Sequence, residues 1–104
     1  MHILAILTPK SLVSLDGFGP LLLLEEQVVW KHYTAGTIRS MNFQPEPLRV
    51  LLHFEAPDKA TVQALLDVFP MVEADLFDID LIESGPWLPF TALFSSDALP
   101  KAAA

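Results

Sequence analysis

From Ile3 to Thr8 the chain is apolar on both faces, the pattern of a central strand covered on two sides, and Pro9 closes it. Ser11 to Pro20 holds the turn dipeptides Asp16-Gly17 and Gly19-Pro20 and reads as a loop leading into a helix. Between Leu21 and Ala35, Leu22, Val29 and Tyr33 recur at i, i+7 and i+11, which stacks them on one helical stripe. Gly36 follows, where a helix ends in a left-handed residue. Thr37 to Phe43 and Leu48 to Glu55 are extended runs joined by QPEP, whose prolines forbid helix, so they form a hairpin. Pro57-Asp58 offers an N-cap, and Val62, Leu65, Leu66 and Phe69 follow at i, i+3, i+4 and i+7 until Pro70 ends the helix. From Asp75 to Glu83, Leu76, Asp78 and Asp80 alternate with Phe77, Ile79 and Leu81, which marks a half-exposed strand.

The order β-α-β-β-α-β predicts an α+β fold. It is a ferredoxin-like sandwich with a four-stranded antiparallel sheet carrying two helices on one face. The other sheet face keeps part of the apolar first strand, and a bare apolar face is an association site, so a homodimer with sheets packed face to face is expected. One domain spans 1–104, with 84–104 as a C-terminal extension. In that extension GPWLPFTALF places Trp87, Phe90 and Phe94 where the sandwich has no room. They are expected to lie over a partner or close a pocket mouth, and the terminal KAAA to fray.

Charge and composition remove several function classes. The net charge of −7 repels phosphate backbones and anionic headgroups, so neither nucleic acid nor a membrane surface is an expected partner. No run of about 18 apolar residues spans a membrane, MHILAILTPK lacks the basic start and cleavage pattern of a signal peptide and reads as a first strand, and the absence of cysteine suits a reducing cytoplasm, the expected location. With no cysteine, thiolate metal sites and a Cys nucleophile are excluded, and metal ligands could come only from His2, His32, His53 and carboxylates. No phosphate loop, G-x-S-x-G elbow or zinc motif occurs, so no cofactor or metal is expected. The hydrophobic share of 52% is slightly high for a soluble domain, as a covered dimer face would require.

Between Glu26 and Ile82, EEQVVWKHYTAGTIR and LLHFEAPDKATVQALLDVFPMVEADLFDIDLI follow a helix, a glycine, an arginine-bearing strand and a turn after the second helix. This order resembles the muconolactone Δ-isomerase family of the dimeric α+β barrel superfamily, whose leucine-proline-leucine turn appears here as FPMV. The resemblance implies a ferredoxin-like protomer, a dimer open to further assembly, no metal, and proton transfer on a small oxo-acid or lactone. TIRSMNF carries fewer aromatic and basic residues than the family's strand, leaving Arg39 as the basic residue carried over, and GPWLPF replaces a histidine-proline ending.

The candidate chemistry has a structural alternative at each position. At about 100° per residue, Glu26 shares roughly a third of the helical circle with Leu22, Val29, Trp30 and Tyr33. A carboxylate facing a core gains a raised pKa suited to a general base; at the stripe's margin it would reach water or an arginine. Tyr33 would donate a proton or pack with one hydrogen bond, while Trp30 would wall the substrate or only pack. Lys31 and His32 favour the negative end of the helix. His53 lies among alternating apolar residues and turns, with Arg49, Leu51 and Glu55, toward the dimer face, as a proton shuttle or a neutral interface histidine. Arg39 would anchor a ligand carboxylate or pair with Glu26, Asp78 or Asp80. Trp87 completes the substrate-binding candidates from the tail.

These residues fit a small-molecule protein for an oxo-acid or lactone, an isomerase working by proton transfer with Glu26 or His53 as base, Tyr33 as donor and Arg39 as anchor. The competing readings are a non-catalytic dimeric ligand-binding or accessory module and a cofactor-free oxygenase of the same superfamily.

Overall fold

The computed structural model describes residues 1–10 and 18–94, so residues 11–17 of the expected loop and the expected frayed KAAA lie outside it. The elements are β1 (His2–Pro9), α1 (Leu21–Thr34), β2 (Ile38–Pro45), β3 (Leu48–Glu55), α2 (Lys59–Leu66), α3 (Pro70–Glu73), β4 (Phe77–Ser84) and a 3₁₀ helix (Leu88–Phe94). The four strands are antiparallel in the order β2-β3-β1-β4, the ferredoxin-like arrangement, with β1 and β3 central. Strand alternation sends Ile3, Ala5, Leu7, Leu52, Phe54 and Phe77 to the helix side, where all are buried.

Local chemistry sets the boundaries. Gly36 adopts φ +83°, and Thr37 N–H donates to the His32 carbonyl (3.0 Å) while Gly36 N–H donates to the Tyr33 carbonyl (3.1 Å), which closes α1 in a Schellman motif. Asp58 caps α2 by accepting from Thr61 N–H and from the Thr61 hydroxyl, both at 2.8 Å. These two hydrogen bonds hold its carboxyl below the ordinary aspartate range. Val62, Leu66 and Phe69 of the expected stripe are fully buried.

Two expectations need correction. Pro70 does not simply end the second helix: α2 stops at Leu66, and Pro70 opens the short α3, where its missing N–H costs nothing. Asp75 accordingly does not begin the last strand. It takes the left-handed conformation (φ 61°) that stops α3, and its carboxylate pairs with Lys10 at 2.5 Å, leaving β4 to start at Phe77.

The second correction concerns the phase of α1. Tyr33, expected on the buried stripe, is 42% exposed, and Trp30 beside it is exposed as well. The inward face is instead Leu21, Leu22, Glu25, Val28, Val29 and His32. Four consecutive leucines at Leu21 to Leu24 hide the phase in sequence, and packing against the sheet chooses a line through Glu25 rather than Tyr33.

Candidate functional site

Between α1 and the helix-facing side of the sheet lies a cavity of about 310 Å³. Its floor is Leu7 and Leu52 of the central strands, and Val29, Phe18, Met71 and Phe77 supply apolar walls. The Phe18 and Phe77 rings meet at 5.4 Å, tilted by 34°. On the β2 side, Met41 and Phe43 line the cavity and remain exposed, so its rim is open there. A bulge at Arg39, where the β2–β3 register shifts between Ile38 and Ser40, returns the strand to alternation and aims Met41 and Phe43 to the helix side.

Two glutamates, Glu25 and Glu26, line this apolar space. Glu25 is only 6% exposed and is the sole buried charged residue among those described. Its Oε1 accepts a 3.0 Å hydrogen bond from Met71 N–H at the start of α3. Burial raises the Glu25 pKa most and the neighbouring Glu26 raises it further, while the Met71 bond works in the opposite direction. Met71 thus fixes Oε1 of a residue that lines the cavity. Glu26 is exposed and sits at the rim.

Of the residues singled out in the sequence, Glu26 alone lines the cavity. Tyr33 and Trp30 form an exposed pair on α1, with rings 5.9 Å apart. Arg39 is exposed at the bulge and forms no ion pair among the described residues, so the expected partners Glu26, Asp78 and Asp80 are not engaged. Asp78 and Asp80 are exposed on the edge strand β4.

His53 lies on the opposite side of the sheet from the cavity, as its alternation with Leu52 and Phe54 requires. The Asn42 side-chain oxygen can only accept, so His53 donates to it from Nε2 (3.1 Å), and His53 Nδ1 accepts from His2 Nε2–H at 3.2 Å. Trp87 is 69% exposed ahead of the 3₁₀ helix and contacts Phe90 edge-on at 6.1 Å. His32, expected to cap α1 as a cation, is half-buried and stacked on Phe69 at 5.7 Å. Burial, and secondarily Lys31, lowers its pKa and disfavours the charged form such capping needs.

Sequence reasoning missed Glu25. The signal was present: Glu25 is four residues after Leu21, three after Leu22, and three and four before Val28 and Val29, the centre of the stripe that turns all four inward. Among the described residues no group of three or more His, Asp or Glu side chains is placed to hold a metal ion. No described helix is long and apolar enough to cross a membrane.

No protein-family model matches the chain, and no curated protein matches it significantly. Among solved structures, 5-chloro-2-hydroxyhydroquinone dehydrochlorinase from Burkholderia phenoliruptrix, in complex with 2,5-dihydroxybenzoquinone, is similar at 16% identity and a TM-score of 0.49. The match covers 82% of this chain and 94% of that one.

Proposed function

We propose that this chain binds a small carbonyl compound of the oxo-acid or lactone class in the cavity under α1 and moves a proton on it, as an isomerase. The observation that carries the reading is Glu25: a carboxyl group held by Met71 N–H, with a raised pKa, facing an apolar space large enough for a single-ring ligand. A buried carboxyl group with a raised pKa next to a second glutamate on the same helix is an arrangement suited to paired acid-base work.

In the step that fits this pair, Glu25 donates its proton to the ligand's carbonyl oxygen while Glu26 takes a proton from the adjacent carbon. The C–H electron pair becomes the new carbon–carbon double bond of a neutral enol. Glu26 returns its proton at the far end of the conjugated system and the enol O–H returns its proton to Glu25, so the double bond shifts with no net gain or loss. A neutral enol needs no cation to hold it. Glu25 thereby takes the donor's part first read into Tyr33, and Glu26 keeps the part of base.

The apolar residues Leu4, Ile6, Leu51 and Ile82 on the outer sheet face support a homodimer as the working form, since the register of β1 with β3 and β4 gathers them into one patch. A non-catalytic binding module is the second reading. It is favoured by the positions of Tyr33, Arg39 and His53 away from the cavity, which leave the two glutamates as the only titratable side chains lining it among the described residues.

The test is a titration of isotope-labelled protein with an unsaturated five-membered lactone, combined with an optical assay of its double-bond shift. The reading predicts resonance changes centred on Phe18, Met71 and Phe77, and a loss of turnover of about 10²-fold in both Glu25→Gln and Glu26→Gln. Binding without turnover favours the module, and no binding to the cavity by lactones or oxo-acids removes the reading.

A further inference from the structure

The lining of the cavity also says which charge its ligand carries. Among the described residues its charged side chains are Glu25 and Glu26, both acidic. The chain has six basic residues, and the five among the described ones are engaged or stationed elsewhere. Lys10 pairs with Asp75, and Arg49 donates from Nε (3.1 Å) and Nη2 (2.7 Å) to the Gln44 side-chain oxygen. Lys31, Arg39 and Lys59 are exposed and do not line the cavity. An anionic ligand would therefore lose its hydration in an apolar space with no counter-charge and with a carboxylate at the rim.

Resting on the reading of this cavity as the ligand site, we propose that it selects neutral ring compounds, lactones or ring ketones, and rejects their carboxylate-bearing counterparts, with Glu26 as the residue that sets the discrimination. The position of Glu26 makes this specific. It is exposed and lines the cavity, as Met41 and Phe43 do, so a charged arm extending toward solvent from a ring seated on Phe18 and Phe77 would meet its carboxylate. Two like charges brought together at that rim repel, which disfavours the acid.

A matched pair of probes decides it: a butenolide bearing an acetate arm, and the methyl ester of the same compound, titrated into the full chain at neutral pH and followed by protein resonances. The ester is expected to bind at least about tenfold more tightly than the acid, which corresponds to about 1.4 kcal/mol. In Glu26→Gln, an exposed substitution that leaves the fold in place, the gap is expected to narrow because the acid gains affinity while the ester does not. Equal or tighter binding of the acid, with changes at Phe18 and Phe77, overturns the charge selection and leaves the cavity as the ligand site. An unchanged gap in Glu26→Gln overturns the role of Glu26. If neither probe perturbs the cavity, the reading beneath the proposal fails, and the proposal with it.

Discussion

The Glu25 carboxyl accepts a 3.0 Å hydrogen bond from the backbone N–H of Met71, joining the middle of the first helix to the start of a four-residue helix 46 positions along the chain. The bond satisfies one oxygen of a buried carboxyl. Glu25 also lines the cavity, so a structural contact and the candidate site share the same side chain.

Glu25 should lower stability at neutral pH. Its folded pKa is raised, so the folded state favours the protonated form. Below the unfolded value of about 4.3 the group is neutral in both states and contributes no penalty; as pH rises through the folded pKa the penalty reaches its full size. Glu25→Gln keeps an oxygen for Met71 N–H and removes the charge. Thermal melts should show the variant more stable than the parent at pH 7 to 8, with the difference closing near pH 4. A variant less stable at every pH would mean that Glu25 is ionised and well paired.

His32 should make the fold acid-sensitive. Its folded pKa is lowered, chiefly by burial and then by Lys31, so its stabilisation is present above the unfolded value of about 6.5 and is lost as pH falls through that value toward the folded pKa. Replacing it by phenylalanine, which can still stack on Phe69, should flatten the stability profile between pH 7 and 5. Denaturant midpoints across that range check this, and an unchanged acid slope would assign it to other groups.

Most of the fold was legible because its signals are local. Gly36, Asp58 and the Val62-Leu66-Phe69 stripe each fix an element through residues a few positions apart. The alternation of His53 with Leu52 and Phe54 placed that histidine on the outer face correctly. The candidate site was less legible because it depends on a rotation. Along α1 one residue's difference in phase separates Glu26 at the rim from Glu25 in the interior, and the leucine run from Leu21 to Leu24 gives every phase some support. The hydrogen bond from Met71 could not be read either, since it depends on Pro70 starting a helix and not merely ending one.

The tail should belong to an assembly. Trp87, Phe90 and Phe94 are 69%, 61% and 81% exposed in the protomer, and burying such a side chain is worth about 1.5–3 kcal/mol or more. Truncation after Gly85 should weaken dimerisation or loosen ligand binding while far-UV circular dichroism stays near native. Sedimentation at micromolar concentration checks this. A compact monomer before and after the cut would contradict both the dimer and the tail's part in it.

Deuterium uptake reports most directly on the proton transfer assigned to Glu25 and Glu26. An unsaturated lactone is incubated with the full chain in D₂O, and proton magnetic resonance follows the hydrogen next to its carbonyl. The account predicts exchange faster than in buffer alone, slowed by about 10²-fold in Glu26→Gln and likewise in Glu25→Gln. Exchange at the buffer rate, from a lactone shown to occupy the cavity, would contradict it and leave a binding protein without catalysis.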